Sequence, residues 1–140
     1  MALIRCDFIL TGYGYDPDAI TQALAIEPTR TWRQGDAIAR SVLHYKHDGW
    51  CLSNGPVEAL DAQEVAQPLL AKLLPQGDTI ATLRVQWALD CEVAYTVHSE
   101  DAVPALHFDL AMVRALAQLH AEFDIDVYTS TVKADWLLPP

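Results

Sequence analysis

Arg30, Trp32, Arg33 and Arg40 are the residues whose types and spacing most directly invite chemistry. These three arginines lie close together in a chain with only 9 lysines and arginines against 19 acids. A guanidinium fork matches a carboxylate or phosphate in two hydrogen bonds, and an indole beside it can stack on the cation or on a ligand. The four form a candidate ligand-binding set, an anion clamp around an exposed tryptophan, in and just after the stretch Ala25 to Asp36. The plainer account is that the arginines answer the protein's own carboxylates and the stretch is a structured corner. The two accounts part on one point: whether Trp32 and its arginines face a cleft or fold back on the domain.

Other groupings carry less. His44, His47 and Cys51 supply metal-ligand types, but their spacing matches no structural zinc module and a fourth ligand is missing. Asp124 and Asp126 share the outer face of a strand, near Asp109 or Glu122, and paired carboxylates can bind Mg²⁺ or move protons. Alternating acid on a solvent-facing strand also protects an edge from unwanted pairing. Gly12-Tyr13-Gly14 precedes a helix, yet position 17 is Pro where a third glycine would stand, and Asp16 puts negative charge where a phosphate would sit. No nucleophile-elbow, zinc-hydrolase or phosphate-loop signature occurs, so no catalytic residue, metal or cofactor is assigned and the reading leans away from an enzyme.

The elements that must position these residues follow from periodicity. Ile4, Cys6, Phe8 and Leu10 alternate with Arg5, Asp7 and Ile9, a half-buried strand over about Leu3 to Thr11. Asp16-Pro17 starts a short helix: the carboxylate caps it, and Pro sits where its missing donor does no harm. Ser41 to Lys46 and Trp50 to Ser53 read as a hairpin around Asp48-Gly49, and Asn54-Gly55-Pro56 ends its second strand. Asp61 with Glu64 resembles a capping box before a helix carrying Val65, Leu69, Leu70, Leu73 and Leu74, with Pro68 inside the pattern. From Leu83 to Val97 every odd position is apolar, which predicts strand, interrupted by a turn or bulge near Ala88 to Asp90. A brief strand at Ala105 to Phe108 precedes a helix capped by Asp109, with Leu110, Val113, Leu116, Ala117 and His120 on its face. A last strand runs from Phe123, and Trp136 with the Pro139-Pro140 tail is expected to lie over an edge or fray. The order is β-α-β-β-α-β-β-(β)-α-β: an α+β domain, an antiparallel-rich sheet with three helices mainly on one face, a ferredoxin-like core with an extension.

Composition bounds the rest. With 140 residues, 51% of them hydrophobic, the chain fits one folded domain. A net charge of -10 excludes nucleic-acid backbones and anionic membrane surfaces as partners, because binding would gather like charges. It favours a basic protein partner. Three widely spaced cysteines make no disulfide framework, and the N-terminus has no signal-like apolar run, which together point to the cytoplasm.

One resemblance covers almost the whole chain. It rests on Phe8-Ile-Leu-Thr-Gly followed by Asp16-Pro-Asp-Ala-Ile-Thr, then Leu24-Ala-Ile-Glu-Pro-Thr, Gly35-Asp36 and Trp50-Cys-Leu-Ser. The helix end Leu69-Leu-Ala-Lys-Leu-Leu-Pro and the closing Phe123-Asp-Ile-Asp-Val-Tyr complete it. In these motifs and their order the chain resembles the bacterial domain-of-unknown-function family numbered 4279, departing from it at Pro68. The resemblance implies a single α+β domain in a bacterial cytosol, and no activity, catalytic residue or cofactor. The expected function is a non-enzymatic protein-interaction domain, of the kind that neutralises a toxin as an immunity partner. The alternatives are a small anionic ligand, or an enzyme's substrate, in the Trp/Arg-lined pocket, and a homodimer through a sheet edge.

Overall fold

The computed structural model describes residues 2–129. Its elements are β1 (Ala2–Gly12), α1 (Pro17–Leu24), β2 (Arg30–Trp32), β3 (Asp48–Ala59), α2 (Ala62–Leu73), a 3-10 turn at Leu74–Gln76, α3 (Gly77–Trp87), β4 (Asp90–His98), α4 (Leu110–Gln118) and β5 (Glu122–Tyr128). The class is α+β, with one five-stranded sheet in the order β2-β3-β1-β4-β5. Every neighbouring pair is antiparallel except β4 with β5. Consequently β1 and β2 run parallel with β3 between them, and β3 and β4 run parallel with β1 between them. Two βαβ units are interleaved, and α4 then carries the chain across to β5.

The alternation in β1 places Ile4, Cys6, Phe8 and Leu10 at 0% exposure. They join one core with Ile20 and Leu24 of α1, Val65 and Leu69 of α2, Ile80 and Leu83 of α3, and Met112 and Leu116 of α4. All four helices thus cover the same face of the sheet. The other face carries the odd residues of β1 and is open over β4 and β5.

Local chemistry sets the helix ends. Asp16 accepts the Asp18 amide at 2.9 Å, and α1 stops where Ala25 turns left-handed at φ 54. Asp61 accepts the Gln63 amide at 3.0 Å, and Asp109 the Met112 amide at 2.9 Å. Pro68 lies inside α2, which begins at Ala62 and not at the proline; Pro68 and Glu64 are both exposed, so the carbonyl deprived of its donor reaches water.

Several expected elements differ. Leu83 to Trp87 is the end of α3, a helix beyond the three expected, and not strand. Val85 is 83% exposed while Ile80 and Leu83 are buried and Trp87 is packed against the core, a helical 80-83-87 stripe of which Leu83 and Trp87 also fit alternation. Ala88, left-handed at φ 51, is the expected break, and only Asp90 onward is strand. The hairpin at Asp48-Gly49 does not form: β3 pairs with β1 and β2, and residue 44 meets only Ala37 in an isolated bridge. Asn54-Gly55-Pro56 does not end its strand but shifts register opposite Ile4 to Cys6, and β3 continues to Ala59. Ala105 makes one bridge, to Asp61, in place of a strand. In α4 the buried side is Met112, Ala115 and Leu116, leaving Leu110 and Val113 exposed. Trp136, Pro139 and Pro140 lie outside the described residues.

Candidate functional site

Asp48 organises the corner around β2. Its carboxylate accepts the amides of Gly14 at 2.7 Å, Tyr15 at 3.3 Å and Gln34 at 2.9 Å. One buried side chain therefore ties the β1–α1 turn and the segment leaving β2 to the start of β3. Two of these bonds occupy the Gly14 and Tyr15 amides at the end of the Gly12-Tyr13-Gly14 turn with a carboxylate, where a phosphate would need free donors. After Gln34 the chain doubles back on itself. Tyr45 donates its amide to Asp36 at 2.9 Å, Gly35 donates to Tyr45 at 2.8 Å, and Ile38 donates to Leu43 at 2.9 Å.

This arm lays Tyr45 over Trp32. Their rings stack with centroids 4.8 Å apart and planes 19° from parallel. Trp32, expected to be exposed, is 6% exposed. Its ring lies so close to β3 that a Cβ on Gly49 would sit 2.0 Å from it. Glycine at position 49 is thus a requirement of close approach, not of a turn. The Trp32 Nε1–H points to His47 Nδ1 at 3.3 Å.

The sequence grouped three arginines here, and the fold separates them. Arg33 reaches back to the cap of α1, 2.8 Å from Asp16, with Asp18 at 4.0 Å. That hydrogen bond, and then the Asp18 amide, hold the Asp16 carboxyl below its usual range. Arg30 instead lies with its guanidinium carbon 4.7 Å from the centre of the Trp32 ring and donates to the Tyr45 hydroxyl at 2.9 Å. No carboxylate among the described residues forms an ion pair with it. Arg40 stands on the arm at φ 58 and lines no part of the cleft. That cleft, of about 200 Å³, is bounded by Arg30, Thr31, Trp32, Asp36, Ala37, Ala39 and Tyr45.

Beside it, on the face away from the helices, Asp7 is 3% exposed. The Ser53 hydroxyl and Arg5 Nε, the latter at 3.1 Å, donate to its two oxygens. Cys51 Sγ lies 3.5 Å from Ser53 Oγ. Burial pushes all three thiols up, Cys91 to about 12, so none is a ready nucleophile. His44 Nδ1 is 2.9 Å from the Gly35 carbonyl oxygen and His47 faces Trp32, so neither ring turns toward Cys51. Among the described residues no group of three or more His, Cys, Asp and Glu is placed to hold a metal.

At the opposite edge, β4 and β5 pair in parallel with Glu92 beside Glu122, Ala94 beside Asp124 and Thr96 beside Asp126. Alternation puts these on the open face, with Asp90 at the same parity. Partial burial, and then the charges of Asp124, Glu122 and Asp126, raise the Glu92 carboxyl above its usual range. The two aspartates singled out from the sequence are thus part of a larger acidic surface.

Residues 2–130 match the model of a family described as Domain of unknown function (DUF4279). The chain belongs to this family. No curated protein and no solved structure matches it. Among the described residues of this DUF4279 chain, no helix is long and apolar enough to cross a membrane.

Sequence reasoning missed Tyr45, Asp48, Gly49 and Glu92 as site residues. Glu92 was within reach, since it shares the parity of Asp90 in its own strand. Asp48-Gly49 was not, because its turn chemistry is local and its partners are at positions 14, 15 and 34.

Proposed function

We propose that this protein is a non-enzymatic interaction domain whose open β4–β5 face receives a basic protein partner. The observation that carries the reading is the register: Asp90, Glu92, Glu122, Asp124 and Asp126 fall on one face of two adjacent strands. Between Arg84 and Lys133 the chain has a single lysine or arginine, Arg114. Like charges set side by side on a sheet destabilise it, and a cationic surface relieves that repulsion on docking. A second copy docked β5 to β5 would add carboxylates to carboxylates, which favours the basic partner over the homodimer.

The finer reading is a bacterial, cytoplasmic, immunity-type partner of a basic toxin. The family resemblance supports the bacterial cytosolic setting, and the net charge of -10 supports a basic partner. Affinity capture from the native host tests it. The wild type should retain one basic protein at low salt and lose it progressively as NaCl rises. The variant Glu92→Gln, Glu122→Gln, Asp124→Asn, Asp126→Asn should retain none. Equal capture by both proteins would sink the reading.

A further inference from the structure

We infer that the cleft over β2 is a binding site for a small organic monocarboxylate, held by the Arg30 guanidinium. It lies at the opposite end of the sheet from the acidic face and is independent of the function proposed above.

In a chain with 19 acids and 9 lysines and arginines, a half-buried arginine without an ion-pair partner is unexpected. Taking a cation partly out of water is unfavourable unless an anion or a set of hydrogen bonds offsets it. Arg33, three residues on, has its carboxylate at 2.8 Å; Arg30 has an indole face, a phenol oxygen and the Cys51 thiol of the neighbouring strand. Those neutral contacts orient the planar fork without supplying a charge to offset it, so it is held ready for an anion.

Size and lining narrow the class. About 200 Å³ is smaller than the usual pocket for a drug-sized ligand, roughly 300–1,000 Å³, and suits an acid of a few heavy atoms. Trp32 and Tyr45 border the cleft with aromatic surface for an apolar body, and Ala37 and Ala39 keep the wall low. Asp36 also borders the cleft, its carboxylate fixed by the Arg33 amide at 2.9 Å. One negative charge there is tolerable beside Arg30 for a monoanion and opposes a dianion.

Titration of ¹⁵N-labelled protein with sodium acetate and sodium benzoate, against sodium chloride and sodium sulfate at matched ionic strength, tests this. The Trp32 indole N–H and Arg30 Nε–H resonances are the reporters. At least one carboxylate should shift both saturably, with a dissociation constant of about 1 mM or tighter. Chloride and sulfate should give no saturation. Arg30→Gln should weaken carboxylate binding about tenfold or more, while Arg33→Gln leaves it unchanged. If Arg30→Gln does not fold, Arg30→Lys replaces it: a folded spectrum with weakened binding supports the fork geometry. Absence of saturation with either carboxylate, equal response to sulfate, or wild-type binding by the folded Arg30 variant would overturn the proposal.

Discussion

Gly49 and Trp32 show how one residue can set a site. The indole lies on the backbone of β3, and a methyl group at position 49 would overlap it at 2.0 Å. Gly49→Ala must therefore lift Trp32, breaking its stack on Tyr45 and moving Arg30 with it. Overpacking of this kind costs about 1–3 kcal/mol, which urea denaturation should register along with a perturbed Trp32 indole resonance. A variant as stable as wild type would mean that the ring is not seated on the strand. The thiols give a second check at this scale. Cys6, Cys51 and Cys91 are buried with raised pKa values, so a thiol reagent should label none of them rapidly in the folded protein and all three in denaturant. Fast native labelling of Cys51 would contradict the packing of β2 and its arm against β3.

Among the elements, α3 departs most from what alternation suggests, and Val85 can report on it. At 83% exposure on a helix, Val85→Ala should raise stability by about 0.5 kcal/mol, because Ala loses less freedom in a helix. In a strand the same change would lower stability, so the sign of the shift in urea midpoint separates the two. The β4–β5 pair makes a prediction about pH. Glu92 binds its proton more tightly in the folded state than its ordinary value of 4.5 implies, so folding takes up protons. Stability then falls as pH rises from the ordinary value through the raised folded value, and it is recovered on acidification. Glu92→Gln should accordingly have a higher urea midpoint than wild type at neutral pH, with the difference shrinking as the pH drops into the carboxylate range. A difference constant with pH would rule out charge as its cause.

At the scale of the molecule, charge is segregated along the sheet. Arg30, Arg33, Arg40 and Lys46 lie in or just beyond β2, and the carboxylates of β4 and β5 stand at the far edge. With a net charge of -10, repulsion within the acidic half should weaken as salt screens it. Raising NaCl from about 0.01 M to about 0.15 M shortens the screening length from roughly 30 Å to roughly 8 Å. The thermal midpoint should rise over this range, while capture of a basic partner should fall. A midpoint that drops with salt would mean that attractive pairs such as Arg33–Asp16 outweigh the repulsion.

What the sequence by itself determined was local. Alternation in β1, the Asp16, Asp61 and Asp109 caps, the buried face of α2 (apart from Leu74, which is exposed in the 3-10 turn) and the placing of Asp124 and Asp126 outward all rest on neighbours within about one turn or two strand positions. The strand and helix periods are legible at that range, and so was most of the element order. Leu83, Val85 and Trp87 were not, because three alternate apolar residues fit a strand and a helix end equally, and only burial distinguishes them. Asp48-Gly49 has the chemistry of a turn, yet Asp48 collects amides from two other segments and Gly49 makes room for a ring from a third. The arginines divide for the same reason: Arg33 finds Asp16 seventeen positions earlier, and Arg30 finds Tyr45 fifteen positions later. Which charge is neutralised and which is left for a ligand depends on distances between segments that only the tertiary structure sets.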